Sequence, residues 1–129
     1  MFERRLKEIE LLRRRYGELD HGANVEWVIF KFFKLPPGWS REVTRLLIMV
    51  PPGYPMTPPD NFYVEPGLRL ASGAGATNYS EPVSHLDQNW GQFSYHVDSG
   101  DWKATADILG GHNLLTFMLG VERRLSELN

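Results

Sequence analysis

The chain has 129 residues, 42% of them hydrophobic and 23% charged, with a net charge of −2 and no cysteine. This length suits one domain with its own core, and the balance is that of a globular protein rather than a disordered tail. The charge excludes a global basic field for nucleic acid, and the missing cysteine excludes disulfides, thiolate metal sites and a thiol nucleophile.

At the start, "MFERRLKEIE" is charged where a secretory signal would be apolar, and no apolar run nears the roughly 20 residues that cross a bilayer. The expected location is the cytoplasm. Phe2, Leu6, Ile9, Leu12 and Tyr16 recur at spacings of four and three, which predicts an amphipathic helix over residues 2–16 that ends near Gly17. The first fifteen residues carry a local balance of +3, leaving −5 for the rest. That basic face is either a solvated helix surface with pairs such as Glu10 to Arg14, or a docking surface for an acidic partner.

The run "NVEWVIFKFFKL" is apolar on both faces at its centre and reads as a central strand. "PPGWS" turns the chain into "EVTRLLIMV", a second strand antiparallel to the first. Five prolines between Pro51 and Pro59, in "PPGYPMTPPD", forbid a helix or a central strand, so a stiff ordered connection is expected. "NFYVEP" is a short third strand. The following stretch, "GLRLASGAGATNYSEPVSHLDQNWG", has almost no periodicity and reads as a long loop, a type that is usually functional. "QFSYHV" can form a short strand and "KATADIL" a helical turn or two. Asn113 is an N-cap for a last helix whose stripe is Leu114, Met118, Val121, Leu125 and Leu128. The expectation is a single α+β domain over residues 1–129: helix, antiparallel meander, long loop, then C-terminal helices.

Within "FSYHVDSGDW", Ser94, His96 and Asp98 stand two apart, so an extended backbone would turn all three to one side. A serine needs a base and a histidine base needs an orienting acceptor, and the row offers all three types. A solvent-facing strand shows the same alternation without any chemistry. His85 with Asp87 repeats the spacing of His96 with Asp98 and invites a metal, but H-E-x-x-H is absent and no metal is expected. His112 reads as a loop or cap residue. The glycines of "ASGAGATN" lack the lysine of a phosphate loop, and no cofactor is expected.

The order helix, meander and "PPGYPMTPPDNFYV", with Tyr54-Pro55 and Pro58-Pro59, resembles the ubiquitin-conjugating enzyme superfamily. In that superfamily an Asn-bearing loop leads to a catalytic cysteine, and a tryptophan follows eight residues later. Eight before Trp102 is Ser94. More narrowly, "PPGYP…TPP…FYV…GLR…TNYSEP…W…FS…W…AD…NLL" is similar to the prokaryotic branch called family E. The resemblance implies a bacterial pathway with a ubiquitin-like protein, an activating-enzyme homologue and a metalloprotease-type deconjugase.

It also implies two alternatives for a chain without a thiol. In one, Ser94 carries the ubiquitin-like C-terminus as an oxyester, with His96 or His85 as base and Asp98 or Asp101 orienting it. Asn78, or Asn89, then stands for the loop asparagine. In the other, the domain is an inactive variant that binds a ubiquitin-like protein or an activating enzyme as an adaptor. In either case Arg4, Arg13 and Arg14 are expected to help recruit the activating enzyme, as the first helix does in the superfamily.

Overall fold

A computed structural model describes residues 2–98 and 100–129. Helix α1 (Phe2–Tyr16) is followed by strands β1 (Leu19–His21), β2 (Trp27–Lys34), β3 (Val43–Met49), β4 (Phe62–Val64), β5 (Tyr79–His85) and β6 (Gln88–Phe93), and by helix α2 (Leu114–Ser126). The strands form one sheet in the order β1-β2-β3-β4-β6-β5, antiparallel throughout. The fold class is α+β, as expected. No helix among the described residues is long and apolar enough to cross a membrane.

Strand periodicity places the core. Phe30, Leu46 and Val64 lie in register on one face, where Ile9 and Leu12 of α1 and Phe117, Met118 and Val121 of α2 cover them. Their neighbours Ile29, Leu47 and Tyr63 point the other way and bury a second cluster with Trp90, over which Arg45 lays its guanidinium at 4.8 Å. The double-faced apolar centre of β2 thus has a partner on each side. A bulge between Phe30 and Phe33 breaks the alternation and leaves Phe32 exposed.

Both helix stripes differ from the simple periodic reading. Phe2 and Leu6 are exposed, whereas Glu8, outside the apolar stripe, is fully buried. Its carboxylate accepts from Arg4 Nε at 2.9 Å, from the Leu114 N–H at 2.6 Å and from the Tyr54 hydroxyl. Three chain segments meet on one charge. In α2, Leu114, Met118, Val121 and Leu125 are buried, but Leu128 lies past the helix and is half exposed, so the stripe ends one residue early. Asn113 caps this helix, its side chain accepting from the Thr116 N–H at 2.9 Å while Thr116 Oγ1 accepts from the Asn113 N–H at 2.9 Å.

The largest correction concerns the expected long loop. Much of it is the β5–β6 hairpin, closed by Leu86 and Asp87 with φ of 55° and 57° between the paired His85 and Gln88. Left-handed backbone at both central residues is the turn that matches strand twist. The remaining loop is tied down rather than loose. Glu81 accepts from the Gly67 N–H at 2.8 Å, from Arg69 Nη2 at 3.2 Å and from the Tyr79 hydroxyl, and these bonds pull its carboxyl down to about 2. "KATADIL" yields only a 3-10 turn, Ile108–Gly110.

Candidate functional site

Strand β6 ends at Phe93, and the chain continues extended through Asp98. Ser94, His96 and Asp98 are exposed, while Tyr95 and Val97 are half-buried against the core. The row predicted from spacing therefore lies on one side. Tyr79 and Phe93 are paired, and beyond them the Ser94 N–H donates to the Asn78 carbonyl at 2.8 Å, so Ser94 and Asn78 face each other across the next rung. Asn78 has φ 54°, a left-handed conformation that asparagine tolerates better than most residues.

Asp98 makes no hydrogen bond to His96 among the described residues. Its carboxylate accepts from the Gly100 N–H at 2.9 Å and its carbonyl from Asp101 and Trp102 at 2.9 and 3.2 Å, so it builds the turn toward Trp102. His96 Nδ1 instead pairs with the Asp60 carboxylate from the end of the proline segment. An ionised carboxylate can only accept, so Nδ1 is the donor of this pair. The next residue, Asn61, clamps Tyr95 twice: its N–H donates to the Tyr95 carbonyl at 2.7 Å and its side-chain oxygen accepts the Tyr95 N–H at 3.1 Å. Asp60 and Asn61 thus hold the residues between and beside the candidate nucleophile and base. Neither was singled out from sequence, where Asp60 read only as the end of a stiff connection and Asn61 as the start of a short strand.

The other candidates separate. His85 sits at the far end of the hairpin with its ring 4.5 Å from that of Tyr63, and its carbonyl accepts from Trp90 Nε1 at 3.0 Å. It stands six steps along β5 from Tyr79, roughly 20 Å at ordinary strand rise. It cannot serve Ser94. Asn89 pairs with Ser84, well along β6 from Ser94, whereas Asn78 lies opposite Ser94. Asp101 is exposed beside the turn that Asp98 makes. His112 is structural, stacked on Trp102 at 5.1 Å and accepting the Lys103 N–H at Nδ1. Trp102 is buried and donates to the Pro55 carbonyl at 2.8 Å, joining the proline segment to the turn after the site.

At His96 a cleft of about 480 Å³ is lined by Tyr95, Asp98 and Trp102 and, on α2, by Phe117, Gly120 and Arg123. A side chain at Gly120 would place its Cβ 2.0 Å from the Tyr95 hydroxyl. On α1, Arg13 is exposed and pairs with Glu10 at 3.5 Å, and Arg14 is exposed. Arg4 is not part of a solvated basic face: besides Glu8 it donates to the carbonyls of Thr105 and His112.

The family model of prokaryotic E2 family E matches residues 5–127, nearly the entire chain. The chain belongs to prokaryotic E2 family E. No curated protein and no solved structure matches it. In this family E chain the helix, antiparallel sheet and closing helix have the order of a ubiquitin-conjugating fold. Without a cysteine the family E chain cannot hold an acyl group as a thioester. What it places eight residues before Trp102 is an exposed serine.

Proposed function

We propose that the protein is the conjugating component of a bacterial ubiquitin-like modification pathway and that Ser94 accepts the C-terminus of the ubiquitin-like protein as an oxyester. The observation that carries this reading is the exposed Ser94 on the same side of the chain as His96, a histidine oriented by the carboxylate of Asp60. In the acylation step, Ser94 Oγ attacks the acyl carbon of the thioester delivered by an activating enzyme. The Oγ–C bond forms, the C–S bond breaks, and His96 Nε2 takes the hydroxyl proton and returns it to the departing thiolate.

Asn78, opposite Ser94, is the donor available to the developing oxyanion, because the Ser94 N–H is already spent on the Asn78 carbonyl. In the transfer step an acceptor amine or hydroxyl attacks the ester, and His96 passes its proton back to Ser94 Oγ. A metalloprotease of the same pathway would remove the product, and the cytoplasm is the expected compartment.

The test is intact mass after incubation with an activating-enzyme homologue, ATP and a ubiquitin-like protein. An adduct should form that resists reducing thiol and yields to hydroxide and hydroxylamine. Ser94→Ala should abolish it while leaving the melting temperature nearly unchanged, since an exposed hydroxyl contributes no more than about 1 kcal/mol. Ser94→Cys should give a thiol-labile adduct. Equal adduct on Ser94→Ala would move the site to Ser80, Ser84 or a lysine.

One observation favours the inactive-adaptor reading: Ser94 Oγ makes no hydrogen bond among the described residues, His96 included. Binding of the ubiquitin-like protein with no adduct on any variant would establish that reading. Under either reading Arg13 and Arg14 are the basic residues offered to the activating enzyme. Reversing both to Glu should weaken that complex, and the loss should shrink as salt rises; unchanged affinity at low salt would make them solvated surface only.

A further inference from the structure

Near the end of α2, Arg124 is only 9% exposed, yet no carboxylate side chain pairs with it among the described residues. A desolvated guanidinium is costly unless its donors are satisfied. Here Nη1 donates to the Glu127 carbonyl at 3.1 Å, which closes the helix end. Nη2 donates to the Thr77 carbonyl at 2.9 Å, with Thr77 Oγ1 at 3.3 Å and the main-chain oxygen of Asn129, the last residue of the chain, at 3.2 Å. The guanidinium lies over the Phe93 ring, 5.1 Å from its centroid.

Thr77 and Phe93 are the residues just before Asn78 and Ser94. One planar cation thus holds both sides of the rung that sets the asparagine opposite the serine.

We propose that Arg124 is a positioning residue for acyl transfer, fixing the Thr77–Asn78 segment against the end of β6 so that Asn78 can reach the oxyanion formed at Ser94. This rests on the reading of Ser94 as nucleophile. A lysine keeps the charge but has neither the fork nor the flat face, so Arg124→Lys is the discriminating substitution.

The experiment follows acetylation of Ser94 by p-nitrophenyl acetate, located by peptide mass, alongside hydrogen exchange of the Ser94 amide in the unmodified chain. The probe reaction is balanced: the serine takes the acetyl group and p-nitrophenol leaves. Arg124→Lys should slow Ser94 acetylation about tenfold and raise Ser94 amide exchange with the melting temperature little changed. Because Arg124 acts through Asn78, the slowing should shrink to within about twofold when made on Asn78→Gly, a background that keeps the left-handed backbone and removes the amide.

A rate within about twofold of wild type, or an undiminished tenfold effect on Asn78→Gly, would overturn the proposal. If the wild-type chain is never acetylated at Ser94, the nucleophile reading falls by itself, and exchange decides the rest. Ser94 amide protection unchanged in Arg124→Lys then overturns Arg124's role in setting the rung, and raised exchange supports it.

Discussion

At the scale of single residues, Asp60 decides what His96 can do. An exposed histidine with no orienting partner spends its time in many rotamers and both tautomers; the Asp60 carboxylate selects one of each. Asp60→Ala should therefore slow adduct formation about tenfold or more, whereas Asp98→Ala should act only through the turn it builds and cost less than about threefold. Single-turnover rates on the two variants check this, and the reverse order would restore Asp98 to the role suggested by its spacing. The alternation of Ser94, His96 and Asp98 was legible because extended backbone has period two. The carboxylate that pairs with His96 was not legible, because Asp60 lies 36 positions away and only the packing of the proline segment beside β6 brings them together. Spacing along one strand cannot report a neighbour from another.

At the scale of elements, the helices and the central strands could be read from their apolar periods, while the β5–β6 hairpin could not. Most residues of β5 are exposed, so that strand carries no apolar alternation, and the turn is Leu86-Asp87 rather than the Asn-Gly that usually marks left-handed pairs. The two helices are joined at the surface by Arg15, which donates to Glu122 through Nε at 2.8 Å and Nη2 at 2.9 Å, with the Tyr16 hydroxyl donating to the same carboxylate.

Arg15 first, and Tyr16 after it, hold the Glu122 carboxyl below its ordinary range against the opposing effect of burial. A carboxyl depressed in the folded state contributes stability above its unfolded pKa, and that contribution is lost as pH falls through the folded value. Wild type should thus exceed Glu122→Gln by about 0.5–1 kcal/mol at neutral pH, a figure reduced for solvent screening. Urea titrations should show the gap closing as pH drops below about 4; a gap independent of pH would mean packing, not charge, joins the helices. Within α2, Gly120 lowers helix propensity by about 1 kcal/mol relative to alanine, but the Tyr95 phenol occupies the space a side chain would need. The helix gives up propensity there to make room for the residue between the candidate nucleophile and base.

Across the whole molecule, Glu8 is the point where α1, the proline segment and the start of α2 are joined. Glu8→Ala leaves the Arg4 guanidinium, the Tyr54 hydroxyl and the Leu114 N–H without this acceptor and should cost about 3–5 kcal/mol in chemical denaturation. Glu8→Gln, which keeps an acceptor for Leu114, should cost less. A loss under about 1 kcal/mol for Glu8→Ala would mean that water replaces the carboxylate. The apolar period of α1 gives no sign that Glu8 is buried, because a buried acid is recognised by partners such as Tyr54 and Leu114 that are distant along the chain.

Those distances also set an order of events. Glu8 finds Leu114, Arg15 finds Glu122, and Thr77 finds Arg124, each across a long span of chain. Contacts so far apart fold slowly, since loop-closure entropy is lost before the contact returns anything. As the ribosome extrudes the chain, Glu8 lacks its Leu114 donor until α2 begins to emerge, and the serine rung lacks the hold of Arg124 until that helix is nearly complete.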